Sequence, residues 1–269
     1  MVPGIGAAIA DNLAFKGCNL ILNYTSDSSL ETTKDLQQQL EKVHKVHTVI
    51  VRANIGTAEG PQQLVETAVK EYSNTSLEGF RINIVINNAG VSKDATIEEV
   101  TAENFEWTYR INVLGPLRVM QAVLPYLPHD RSGRVVNISS VSSTEGFIGQ
   151  SVYGGTKAAL EAMTRTWARE LSERATVNAI NPGPVKTDMW GGVSSEFRQR
   201  MKPFVQHAPL EAIRPGIDDE DLIQGAEDLG GRPAYSKEIA GIVGMLCTDD
   251  SAWCTGQVIC ANGGMRMAI

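Results

Sequence analysis

No stretch of this chain stays apolar for the length of a membrane-spanning helix, and no cluster of lysine and arginine makes a basic patch. The first absence excludes a helical membrane protein. The second argues against nucleic acid as a partner. Cysteine is scarce: Cys18, Cys247, Cys254 and Cys260 follow neither a metal-ligand spacing nor a disulfide framework, so they are expected as small core residues in a reducing compartment. The four histidines, His44, His47, His129 and His207, are scattered and offer no zinc pattern. No signal-peptide pattern precedes the sequons at Asn23, Asn74 and Asn137, so glycosylation is discounted and a cytoplasmic location is expected.

What is present is ordinary globular material. The chain has 269 residues, of which 42% are hydrophobic and 20% charged, enough for a sizeable core and too apolar for disorder. Its net charge is −7. Much of the acid falls in one place, at Asp218, Asp219, Glu220, Asp221, Glu227 and Asp228, which reads as a solvated surface segment.

Helical and strand patterns alternate almost throughout. A helix over Gly4–Lys16 precedes the apolar run Leu20–Leu22, which ends at Asn23; a polar-faced helix over Ser29–Lys42 precedes a strand over His47–Val51. A helix over Pro61–Tyr72 then leads to Ile82–Ile86, whose unbroken apolar character suits a parallel sheet buried on both faces. Thr101 is the expected N-cap of a long helix to Leu127, bent near Pro116. Strands over Arg134–Ile138, Thr176–Ile180 and Gln257–Ala261 alternate with helices over Gln150–Leu171 and Ser236–Cys247. Such alternation predicts a single domain, residues 1–269, built as a doubly wound α/β parallel sheet with ligands beyond the carboxyl ends of its strands. Residues 188–230 break the rhythm, being rich in Gly, Pro and acid with Met201, Phe204 and Val205 as apolar anchors. A loop of that length is expected to be a substrate-binding lid.

Tyr153 and Lys157 stand four residues apart, which puts both on one helix face. Alone, such a pair usually marks a solvated helix. Here Ser140 lies thirteen residues before the tyrosine, and an Asn-Asn-Ala-Gly turn occupies Asn87–Gly90. A cation about 5 Å from a phenolate, at an effective dielectric near 20, interacts with it by roughly 3 kcal/mol. That interaction would draw the phenol roughly two pH units below its usual value near 10.

These residues, with Asn112 in Ile-Asn-Val-Leu-Gly, the run Pro182-Gly183-Pro184-Val185-Lys186-Thr187 and Thr255-Gly256-Gln257, resemble the short-chain dehydrogenase/reductase family in order and interval over nearly the whole chain. The resemblance implies a Rossmann-like fold and a NAD(P)-dependent oxidoreductase. It implies Tyr153 as general acid toward a carbonyl oxygen and Lys157 as the cation that tunes it and binds the nicotinamide ribose. Ser140 would hydrogen-bond the substrate oxygen, with Ser139, Ser142 and Ser143 as alternative hydroxyls, and Asn112 would hold a relaying water. Cofactor contacts would come from Gly4, Ile5 and Gly6, from Asn54 and Ile55, from Asn88, Ala89 and Gly90, and from Pro182, Gly183, Val185 and Thr187. At the end of the second strand Asn23, Thr25 and Ser26 offer no carboxylate to a ribose 2′-hydroxyl, so NADP is expected over NAD, although Pro3 stands where a basic residue is common.

The family opens with a strand and a Thr-Gly-x-x-x-Gly-x-Gly loop, of which this chain keeps Gly4 and Gly6. The sheet is therefore expected to lack its first strand, leaving two unpaired edges and an incomplete pyrophosphate cradle. A start codon set too late or an omitted first exon is the expected cause, with a genuine truncated product as the alternative. The functional expectation is NADP-dependent interconversion of a ketone and a secondary alcohol, the ketone being larger than a simple sugar. The alternatives are a NAD-dependent alcohol dehydrogenase and a non-catalytic protein that binds a nucleotide or a partner. A homodimer or homotetramer, joined through the long helices, is implied as well.

Overall fold

The computed structural model describes residues 4–73 and 79–267; Pro3 and the sequon at Asn74 lie outside them. Strands and helices alternate as β1 (Leu20–Tyr24), β2 (Thr48–Arg52), β3 (Ile84–Asn87), β4 (Gly133–Ile138), β5 (Ala175–Ile180) and β6 (Val258–Ile259), all paired in parallel. Between them run α1 (Ile5–Phe15), α2 (Leu30–His44), α3 (Gly60–Tyr72), α4 (Ala102–Tyr109), α5 (Gly115–Val123), α6 (Ser142–Glu145), α7 (Ser151–Glu170), α8 (Asp188–Gly191), α9 (Ser195–His207), α10 (Glu220–Leu229) and α11 (Ser236–Leu246). The architecture is the doubly wound α/β arrangement the alternation predicts. No helix among the described residues is long and apolar enough to cross a membrane.

The central strands β4 and β5 are buried along their whole length, which is why Val135, Val136, Val177 and Ile180 follow without polar alternation. Helices cover both faces. Val119, Met120, Val123, Leu160 and Trp167 pack on one side, and Ile9, Leu13, Ile239, Val243 and Leu246 on the other.

The strands form two sheets, β2-β1 and β3-β4-β5-β6. No described strand lies between β1 and β3. In that place is a cavity of about 1420 Å³ lined by Leu20, Leu22, Ile84, Ile86, Ile9 and Leu13, among others. The expected missing strand thus corresponds to an apolar gap with an unpaired strand edge on each side.

Thr101 caps α4 as expected, accepting a hydrogen bond from the Asn104 amide at 3.2 Å. The long helix that follows is not simply bent at Pro116. Residues Arg110–Leu114 form a π-helical turn carrying Asn112 just before Pro116, which lies within the continuous helical run from α4 to α5 and offers no N–H to its ladder. The segment over 188–230 contains three helices rather than an extended loop. Ser194 caps α9, and Phe197, Met201 and Val205 bury its inner face. The acidic stretch is not wholly solvated either. The Asp218 side chain is 1% exposed and is held by Arg214 at 2.8 Å and Arg232 at 3.3 Å, while Asp221 pairs with Lys186. Those two guanidinium partners offset the cost of burying Asp218, and of them Arg232 lies fourteen residues away, beyond the reach of a local pattern. The four cysteines are free and only half-buried.

Candidate active site

The catalytic candidates gather at the carboxyl end of β4. Past Ile138 the chain leaves the sheet but stays tied to β5, because the Ser139 amide donates to the Ile180 carbonyl at 2.8 Å and the Val141 amide to Pro182 at 3.0 Å. This holds Ser140 beside the start of α7. Gly154 permits the contact, since a Cβ there would stand 2.5 Å from the Ser142 carbonyl oxygen. Ser140 hydrogen-bonds the Tyr153 phenol, and its Oγ lies 3.1 Å from that of Ser142.

One turn further along α7, Lys157 is buried and donates from Nζ to the Ile138 carbonyl at 2.8 Å. Its ammonium lies 5.5 Å from the centre of the Tyr153 ring. Gly90 faces it closely: a Cβ there would come within 3.3 Å of Lys157 Nζ and 3.6 Å of Asn112 Oδ1. Asn112, 1% exposed in the π turn, accepts from the Val91 amide at 2.9 Å and donates to the Val91 carbonyl at 2.8 Å and Thr156 Oγ1 at 3.1 Å. Asn112 therefore clamps the Asn-Asn-Ala-Gly turn to α7. All four predicted catalytic residues converge.

The electrostatics differ from the expectation. Burial, reinforced by Asp94, outweighs the Ser140 hydrogen bond and pushes the Tyr153 phenol up to about 12. Burial also pulls Lys157 down to about 8, with Glu161 acting the other way. The phenol is not drawn down, because the lysine is itself desolvated and aimed at a backbone carbonyl rather than at the hydroxyl. Tyr153 is consequently a neutral phenol throughout the neutral pH range, the form that can donate a proton.

The cofactor candidates line the same rim. Gly4 is the N-cap of α1, and Gly6 lies so close to the Asn-Asn-Ala-Gly turn that a Cβ would sit 2.7 Å from Asn88 Nδ2. These side-chain-free approaches at Gly6 and Gly90 are what a dinucleotide needs, so the residues present fit one. Ile5 begins α1, Ala89 is exposed in the turn, and Pro182, Gly183 and Val185 follow β5. Thr187 caps α8, accepting from the Trp190 amide. Asn23 is the last but one residue of β1, its amide donated to the Ala53 carbonyl at 2.8 Å; Thr25 is exposed just beyond the strand, and Ser26 bonds Ser28 and Ser29. Asn54 accepts from the Gly56 amide at 2.9 Å. Ile55 buries its side chain in the core, leaving only its backbone for a ligand. The cavity between the sheets opens onto Gly4, Gly6, Asn23, Asn88 and Ala89, so the cradle is continuous with the gap.

Ser142 was expected only as an alternative hydroxyl to Ser140, and its neighbours Asp94 and Gln150 were not expected at the site at all. Asp94, Ser142 and Gln150 form a polar chain beside Ser140, with Ser142 Oγ 2.6 Å from Gln150 Oε1 and Gln150 Nε2 3.3 Å from Asp94. Nothing in their local spacing announces this. Phe147 meets Phe197 and Phe204 edge-on, with ring centres 6.2 and 5.1 Å away. Glu161 was also missed, though its position four residues past Lys157 was a legible signal.

Comparison with known proteins agrees with this geometry. The sequence profile described as short chain dehydrogenase matches residues 2–197. The chain is 50% identical to an L-xylulose reductase of Aspergillus niger, over 98% of this chain and 94% of that protein. It is 46% identical to an L-xylo-3-hexulose reductase of Hypocrea jecorina, over 99% and 94%. Among solved structures, a blue fluorescent protein from a metagenomic library in complex with NADPH superposes with a TM-score of 0.80 at 29% identity, over 98% of this chain and 94% of that one. The angucycline C-6 ketoreductase LanV with bound NADP gives 0.81 at 27%, over 97% and 91%. The chain belongs to the short-chain dehydrogenase family. It is an NAD(P)-dependent oxidoreductase of that family.

Proposed function

We propose that this oxidoreductase uses NADP to interconvert an open-chain polyhydroxy ketone and its alcohol, with Tyr153 as the proton donor in reduction. The observation that carries the reading is the neutral Tyr153 phenol held by Ser140, with the polar chain of Ser142, Gln150 and Asp94 alongside. Those groups can hydrogen-bond the hydroxyls that flank a ketose carbonyl, and the similarity to an L-xylulose reductase points the same way. The bulkier ketone expected from the length of the 188–230 segment is set aside on both grounds.

Bound NADPH supplies the hydride. As negative charge develops on the carbonyl oxygen, Tyr153 gives it the phenolic proton and Ser140 donates a hydrogen bond to the same atom. Lys157 places positive charge next to the phenolate that results. Asn112 keeps the turn and α7 in register, and the cofactor candidates around Gly4–Gly6, Asn88–Gly90 and Pro182–Thr187 hold the dinucleotide. Neutral Asn23, Thr25 and Ser26 at the end of β1 favour the 2′-phosphate, supported by two structural relatives that carry NADPH or NADP. The 188–230 helices form the substrate lid, the protein works in the cytoplasm, and it assembles as a homodimer or homotetramer through α4, α5 and α7, where Phe105 and Trp107 are exposed.

The test is NADPH oxidation with L-xylulose against an aromatic ketone of similar carbonyl reactivity. A higher kcat/KM for the ketose supports the reading, and preference for the aromatic ketone removes it. A second reading rests on the open cradle: nucleotide binding without turnover. NADPH bound at micromolar concentration with no ketone reduced would select it.

A further inference from the structure

Glu161 lies on α7 four residues beyond Lys157, on the same helix face, and only 5% of it is exposed. A buried carboxylate without partners is costly, so its contacts are informative. Its Oε1 accepts two hydrogen bonds, from Ser139 Oγ at 2.7 Å and from Ser143 Oγ at 2.6 Å. Those serines bracket Ser140, and Ser143 Oγ also lies 2.8 Å from the Ser140 carbonyl oxygen. One oxygen of Glu161 thus fastens both flanks of the serine segment to the helix that carries Tyr153 and Lys157.

The same carboxylate is the source of charge that favours the ammonium of Lys157. From β4 the lysine meets the Ile138 carbonyl and on its own helix the Tyr153 ring, while Gly90 of the Asn-Asn-Ala-Gly turn lies between its ammonium and Asn112. The carbonyl, Gly90 and Asn112 are neutral and the phenol is protonated. Asp94, the other acid near the site, acts on Tyr153. Among the described residues Glu161 is the carboxylate whose charge favours the lysine's ammonium.

We infer that Glu161 is a positioning residue of the proton-transfer site, serving as buried counter-charge to Lys157 and as the tether that sets Ser140 against Tyr153. The inference rests on the proposed roles of Tyr153 and Lys157. Removing the charge while keeping an acceptor should leave the tether and weaken the lysine's hold on its proton.

The experiment compares kcat/KM for NADPH-dependent ketone reduction, from neutral to alkaline pH, in the parent, Glu161→Gln and Glu161→Asp. In the Gln variant the alkaline fall should move to lower pH, the effect of losing an opposite charge that favours the ammonium. The Asp variant keeps the charge, so its fall should stay at the parent's pH even where shorter reach lowers kcat. A parental pH profile in Glu161→Gln overturns the inference. Where the Gln variant does not fold, a downshifted profile in Glu161→Asp overturns it and a parental one supports it. Tyr153→Phe and Lys157→Met, run alongside, keep the two levels apart. Activity surviving in both removes the underlying site, whereas loss in both with a parental Gln profile removes only Glu161.

Discussion

At the residue scale the site runs on burial. The Tyr153 phenol at about 12 and the Lys157 ammonium at about 8 are displaced in opposite senses by one cause, the removal of water from a charged form. The consequence for reduction has a definite sign. Tyr153 keeps its proton across the working range, while Lys157 loses its charge as pH rises through about 8, so kcat/KM for ketone reduction should fall on that side. An initial-rate profile with NADPH checks this, and a flat profile across that region would remove Lys157 as the controlling group. Asn112→Ala should cost on the order of 1–3 kcal/mol in thermal unfolding, because Val91 and Thr156 lose buried partners. Helix periodicity placed Tyr153 and Lys157 on one face, but it was the resemblance to the short-chain dehydrogenase/reductase family, carried by several motifs in register, that singled them out together with Asn112 and Ser140. The direction of the Tyr153 shift was not legible, because it depends on how deeply the fold buries both groups. The burial of Asp218 was hidden for a related reason: Arg214 stands only four residues before it, but Arg232 reaches it through the tertiary structure.

At the element scale the β-strands and their ends decide the cofactor contacts. β1 closes with Asn23 and Tyr24, Thr25 and Ser26 follow, and the nearby carboxylate of Asp27 is engaged by Arg52 at 2.6 Å. A new carboxylate at the strand end should repel a 2′-phosphate and accept a ribose hydroxyl. Ser26→Asp is therefore expected to raise KM for NADPH about tenfold or more and to improve use of NADH, a loss of roughly 1.4 kcal/mol in binding. Equal use of both nucleotides by parent and variant would show that this strand end does not read the phosphate. The gap between β1 and β3 has its own signature. β4 is hydrogen-bonded to strands on both sides, whereas β1 and β3 each pair on one side only. Amide hydrogen exchange should be slowest in β4 and β5 and much faster in β1 and β3. Uniform protection across all four would contradict the divided sheet. The alternation of elements was readable because each carries its own hydrophobic period. The π turn at Arg110–Leu114 and the helices within 188–230 were not, since both are set by what they pack against.

At the scale of the whole molecule, Glu211 and Lys157 are the displaced groups that shape stability around neutral pH. Burial raises Glu211 from 4.5 to about 8, and its Oε2 has no hydrogen-bond partner. The folded state therefore holds a proton that the unfolded chain releases, and stability declines as pH rises from about 4.5 through about 8. Lys157 works the other way: between about 8 and 10.5 the unfolded chain binds the extra proton, so stability rises with pH there. Between them these two groups turn the decline into a rise near pH 8, before the raised Cys247, Tyr72 and Tyr153 oppose the rise at higher pH. Differential scanning calorimetry should show the turn, and Glu211→Gln should abolish the decline on its acidic side. An unchanged slope in that variant would clear Glu211 of the effect.

The most direct test joins the three scales at one atom, the Tyr153 hydroxyl. NADPH consumption with L-xylulose should be stoichiometric with alcohol formed. Tyr153→Phe should lower kcat by at least about 10²-fold while leaving the NADPH dissociation constant unchanged. Turnover by Tyr153→Phe at the parental rate would contradict the proposed proton transfer and, with it, the reading of the site.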